Sequence, residues 1–108
     1  MNIYAMIDVT SFMSLELISK QQPEVIAALY RLKGAVFKDG ALSVKEKELI
    51  AVAVTALLKC DECLIVHAKK AVEAGATKDE LRESLLVAMY LAGPSTVIWT
   101  DKIDEIIG

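Results

Sequence analysis

Ser43-Val44-Lys45-Glu46-Lys47-Glu48-Leu49-Ile50-Ala51-Val52-Ala53-Val54-Thr55-Ala56-Leu57-Leu58 is the stretch that decides the fold. It opens with a capping box, in which the Ser hydroxyl and the Glu carboxylate three residues on satisfy each other's free backbone N–H groups, and an apolar run follows. The β-branched content of Ile50 to Thr55 resembles a strand in composition, but the box before it and the length of the run specify a helix. The same signal recurs at Thr77-Lys78-Asp79-Glu80, after Gly75 has closed the preceding helix. Beyond it Leu81, Leu85, Ala88, Met89 and Ala92 keep the helical period to about Gly93.

Upstream, Pro23 to Lys38 carries Val25, Ile26, Leu29, Leu32 and Val36 at helical spacing, with Pro23 suited to a first turn and Gly40 just past the end. A shorter helix is expected near Ser14 to Ser19. Downstream, Gly93-Pro94 breaks the chain, and Ser95 to Ile107 resumes with Val97, Ile98, Ile103, Ile106 and Ile107 as a terminal helix. No segment alternates like a strand, so the fold class is all-α: a helical bundle formed by a single domain over residues 1–108, with no linker or internal repeat.

Of the 108 residues, 55% are hydrophobic and only 6% aromatic, so the apolar content is mainly aliphatic. A domain of this size has limited interior in which to hide that much, which points to buried subunit contacts and a homo-oligomer. The formal net charge of −3, without basic clusters, excludes a nucleic-acid partner. Met1 to Asp8 has no basic n-region, and Leu49 to Leu58 is too short to span a bilayer. We therefore expect no membrane association and a cytoplasmic location, where a disulfide is more often a working part than a staple.

Both cysteines and the one histidine of the chain fall in Cys60-Asp61-Glu62-Cys63-Leu64-Ile65-Val66-His67. On a helix this spacing puts all three on or near one face. Two sulfurs one turn apart can close a short disulfide, and His67, one turn beyond Cys63, can take its proton to give the thiolate that attacks. Two other readings fit the same residues. The cysteines can serve as small hydrophobes with His67 a satisfied polar group. Alternatively they form a metal site, but three ligands without a second Cys-x-x-Cys or an extra His give a weak zinc signal, even with Asp61 or Glu62 as a fourth. No metal and no bound cofactor are expected.

The pattern of a Glu, here Glu48, followed twelve residues on by Cys-x-x-Cys-x-x-x-His resembles the alkylhydroperoxidase (AhpD-like) branch of the carboxymuconolactone decarboxylase superfamily. The likeness extends over about Ser43 to Gly93 and includes the turn and capped helix at Ala74 to Glu80. It implies a thiol-dependent antioxidant oxidoreductase that reduces hydroperoxides or disulfides and is restored by a separate thiol reductant. It also implies the roles: Cys63 meets the peroxide and becomes a sulfenic acid, Cys60 donates a proton and then resolves it as a disulfide, and Glu48 with His67 forms the relay that deprotonates Cys63. Short members of the family are homo-oligomers, which here implies a trimer or hexamer.

Helix electrostatics favours Cys60 as the thiolate, being nearer the helix N-terminus, whereas proximity to His67 favours Cys63; the resemblance sides with Cys63. The relay also demands a particular fold. On an unbroken helix Glu48 would stand roughly 28 Å from His67, so the chain must reverse just before Cys60, although no Gly or Pro marks the place. One departure from the family pattern is Glu62, where better-known relays carry a His before the second Cys. It thins the proton network, and a carboxylate beside the thiol opposes its ionisation.

Two further functions compete. A decarboxylase acting on a muconolactone-type acid shares the superfamily name, but it does not rely on the cysteine pair, and Arg31 and Arg82 are the only arginines. A non-enzymatic redox-sensing oligomer would use the same disulfide without turnover. Phe37, Met89, Tyr90 and Trp99 lie among aliphatic residues and read as core or interface positions.

Overall fold

The computed structural model describes residues 13–106, whose element order is α1 (Met13–Gln21), α2 (Pro23–Val36), α3 (Val44–Leu58), α4 (Asp61–Glu73), α5 (Lys78–Ala92), two 3-10 turns (Pro94–Thr96 and Ile98–Lys102) and α6 (Ile103–Ile106). Met1 to Asp8 and Ile107, which entered the sequence reading, lie outside the described residues. Every regular element among the described residues is helical, and the fold is all-α.

Both capping boxes form. Ser43 N–H donates to Glu46 Oε1 at 2.9 Å while Glu46 N–H donates to Ser43 Oγ at 3.1 Å. Thr77 and Glu80 do the same at 3.0 and 3.1 Å. These boxes start α3 and α5 where the sequence places them.

α3 packs against both α4 and α5, and α4 against α6, around a core of Val52, Leu64, Ala68, Ala71, Ala76, Leu81 and Ile103, with Leu49, Leu85 and Trp99 packed against that cluster. Ala56, Ala68 and Ala71 are fully buried, and their single methyl groups let the facing helices approach closely. α1 packs against α2.

The reversal required between Glu48 and His67 occurs at Lys59, whose φ of 55° places it in the left-handed region. Lys59 N–H donates to Ala56 O at 3.1 Å and Cys60 N–H to Thr55 O at 3.2 Å. Together these bonds form a Schellman motif. The same pair of bonds closes α4, from Gly75 N–H to Val72 O and from Ala76 N–H to Ala71 O, with Gly75 in the left-handed position. An L-residue bears a steric penalty there that glycine does not, so the α3–α4 turn is held by its backbone bonds rather than by its residue type.

Two expectations need correction. α2 ends at Val36 rather than Lys38: Phe37 leaves helical geometry, with φ −93° and ψ 58°, and the carbonyls on either side of it, Val36 O and Lys38 O, accept from Lys47 Nζ at 2.9 and 2.6 Å instead of continuing the helix. The terminal helix expected from Ser95 is not one helix over its described part, Ser95 to Ile106: apart from the short α6 it runs through 3-10 turns. The hydroxyls of Thr96 and Thr100 donate to the carbonyls three residues back, Gly93 O and Val97 O, at 2.7 and 2.6 Å. Such local bonds compete with the α-helical pattern, and Thr96, Val97 and Ile98 are β-branched in addition.

Candidate active site

Cys60 is the N-cap of α4, and its sulfur accepts the backbone N–H of Cys63 at 3.3 Å. The two cysteines, with Cα atoms 5.3 Å apart, are joined as a disulfide. Cys63 lies in the first turn of α4, so both sulfurs sit at a helix N-terminus, where unpaired N–H groups favour negative charge. Asp61 and Glu62 bring opposing charge to the same turn. Asp61 is balanced by Lys102, whose Nζ reaches its Oδ1 at 2.6 Å from the C-terminal segment.

One turn beyond Cys63, about 6 Å along the axis of α4, His67 meets Glu48 of α3. Its Nδ1 lies 2.7 Å from Glu48 Oε2. Glu48 is 2% exposed, whereas the His67 side chain is 23% exposed. A carboxylate this deep is tolerable only with a partner, and the imidazole is the partner it has. That contact engages Nδ1 and leaves Nε2 as the ring nitrogen outside the Glu48 bond.

Of the four residues singled out in the sequence, Cys60 and Cys63 are bonded and Glu48 and His67 are in contact, with Cys60 capping α4 and Cys63 and His67 on it. Glu62 is half-buried beside the cysteines. Phe37, expected as a core or interface aromatic, also adjoins the site: its ring stacks on His67, with centroids 5.6 Å apart and planes at 26°. Phe37 follows the last residue of α2, so no helical period marks it. The adjacency of Lys47 to Glu48 is the one hint the sequence offers. Among the described residues, no group of three or more His, Cys, Asp or Glu side chains is arranged to hold a metal ion.

An all-helical fold with a Cys-x-x-Cys disulfide at a helix N-terminus beside a buried Glu–His pair defines a structural class, and comparison with known proteins gives it a family. The chain belongs to the Carboxymuconolactone decarboxylase family, whose sequence pattern matches residues 23–100. A family member from Legionella pneumophila, solved in its apo form, superposes with a TM-score of 0.80 at 32% identity and covers 95% of this chain and 92% of its own. A second solved member, from Thermotoga maritima and described as a candidate for antioxidative response, gives a TM-score of 0.68 at 28% identity over 76% of this chain and 84% of its own. An uncharacterized protein of Cupriavidus necator is 31% identical over 85 residues, spanning 79% of this chain and 75% of its own.

Proposed function

We propose that this protein is a thiol-dependent antioxidant oxidoreductase of the alkylhydroperoxidase-like branch of its family, reducing hydroperoxides or disulfides through Cys60 and Cys63. The observation that carries the reading is the placement of a bonded cysteine pair at the start of α4 with a Glu48–His67 pair one turn further along. The antioxidative description of the Thermotoga relative agrees with it.

In this mechanism His67, held by Glu48, takes the proton of Cys63 through Nε2. The Cys63 thiolate attacks the terminal oxygen of a hydroperoxide. An S–O bond forms as the O–O bond breaks, and the departing alkoxide takes a proton from Cys60. The Cys60 thiolate then attacks the sulfur of the Cys63 sulfenic acid, an S–S bond forming as the S–O bond breaks, and the departing hydroxide leaves as water with the proton returned by His67. A separate dithiol supplies two electrons and two protons to reopen it. The N-terminus of α4 favours the anionic sulfur at each stage.

The exposed aliphatic side chains of α3 and α5, among them Ile50, Val54, Leu58, Val87 and Leu91, support assembly into a homo-oligomer. Several of them line an open apolar groove of about 310 Å³ between the two helices.

Intact-mass measurement tests the reading. Reduced protein treated with one equivalent of an alkyl hydroperoxide should lose the two thiol hydrogens and bond Cys60 to Cys63, and Cys60→Ser should stop at a Cys63 sulfenic acid that a cyclic diketone traps. If the hydroperoxide leaves both thiols unmodified, the proposed reaction is wrong.

A further inference from the structure

We infer that Phe37 is a positioning residue for His67, set in place by Lys47, so that adjacent residues of α3 fix the imidazole from two directions: Glu48 directly at Nδ1, Lys47 through the Phe37 ring on its face. This rests on the reading of His67 as the proton acceptor for Cys63.

The need for a second restraint follows from the geometry of the first. A single hydrogen bond to Glu48 fixes one ring atom, but the torsion that turns an imidazole has a broad minimum, so the ring can rock about the Nδ1···Oε2 line and displace Nε2. A flat neighbour on the ring face removes that freedom. Phe37 supplies it, at a separation and angle within the range of attractive aromatic pairs.

Phe37 follows α2, to which its own N–H is tied through Lys33 O at 2.8 Å, and its onward peptide is held from α3. Lys47 Nζ donates to Val36 O and Lys38 O, the carbonyls on either side of Phe37, at 2.9 and 2.6 Å. The far side of the same loop is tied down independently. Asp39 Oδ1 accepts the N–H of Val44, the first residue of α3, at 2.9 Å, and Gly40 N–H donates to Leu42 O at 3.0 Å. The loop is thus pinned on both sides of its one aromatic residue. Nothing in the packing of the main cluster requires this, because neither Phe37 nor Lys47 belongs to it.

His67 is the only histidine in the chain, so its ring nitrogens can be observed without ambiguity. Two readouts are taken on the reduced protein: the ¹⁵N shifts of the imidazole, and the rate at which iodoacetamide alkylates Cys63 in a Cys60→Ser background. Phe37→Leu keeps apolar bulk without a flat ring, and Lys47→Met keeps the stem without the ammonium. Each should move the ring shifts toward a mixture of tautomers and slow alkylation by about threefold to tenfold, the worth of one aromatic pair. Phe37→Tyr and Lys47→Arg should retain wild-type values. Because both changes act through one contact, Phe37→Leu combined with Lys47→Met should be no slower than Phe37→Leu alone. Unchanged ring shifts in Phe37→Leu and Lys47→Met, or losses that multiply, overturn the assignment. If Phe37→Leu does not fold, Lys47→Met, which leaves the ring present, decides alone. No hydroperoxide is used, so failure of the peroxidase reading and failure of this one are seen separately.

Discussion

Replacing His67 by Leu should destabilise the protein more than replacing His67 and Glu48 together. Glu48 is 2% exposed and the imidazole 2.7 Å away is its partner. His67→Leu keeps the volume and leaves a carboxylate buried alone. Breaking a fully buried pair in this way costs about 3–5 kcal/mol. The His67 side chain is 23% exposed, so water reaches the gap and the expected cost falls to about 2–4 kcal/mol. In a chain of 108 residues that lowers the melting temperature by roughly 10 °C or more. Glu48→Met/His67→Leu removes the charge together with its partner, and well-packed apolar replacements of a buried pair are close to neutral, within about 1.5 kcal/mol. Urea denaturation at neutral pH measures all three proteins. If the single variant is no less stable than the double at neutral pH, the carboxylate does not depend on His67, and the Glu48–His67 pair is not the unit described.

Lys59→Gly should stabilise the protein by about 0.5–1 kcal/mol, read as a higher melting temperature, since it relieves a side chain at a φ of 55° and keeps the Schellman bonds. Acid should weaken both capping boxes: Glu46 is held below its ordinary value of 4.5 by the backbone N–H and then the hydroxyl of Ser43, and Glu80 by Lys45 and then the backbone N–H of Thr77. With folded values depressed, their contribution is complete above the unfolded value and is lost as pH falls through the folded one, so Glu46→Gln and Glu80→Gln should flatten the acid limb of the stability–pH curve. Lys102→Met should cost no more than about 1 kcal/mol, and the loss should vanish at high salt, because the Asp61–Lys102 pair is largely solvated.

The parts of the fold that the sequence discloses are those governed by local hydrogen-bonding chemistry. Ser43 with Glu46 and Thr77 with Glu80 announce α3 and α5 because each box is closed within four residues. The clustering of Cys60, Cys63 and His67 is legible for a similar reason, since one helical turn joins each to the next. Glu48 depends on a reversal that no residue type signals. Lys59 adopts a glycine-like conformation because two backbone bonds require it, so only the demand that Glu48 reach His67 points to a turn there. The segment after Pro94 misleads because its apolar spacing is helical while the hydroxyls of Thr96 and Thr100 bind carbonyls three residues back. Phe37 stays hidden because its position is set by Lys47, ten residues away in sequence, and by the loop between them.

The central claim is that Cys63 turns over hydroperoxide with Cys60 as its resolving partner. Steady-state consumption of an alkyl hydroperoxide in the presence of an excess of dithiol tests it most directly, with wild type, Cys63→Ser and Cys60→Ser compared at equal concentration. The account predicts sustained consumption by the wild type, none above the dithiol background for Cys63→Ser, and for Cys60→Ser one equivalent consumed in oxidising Cys63, with any further consumption limited by attack of the dithiol on the sulfenic acid. Equal rates for wild type and Cys63→Ser would contradict it.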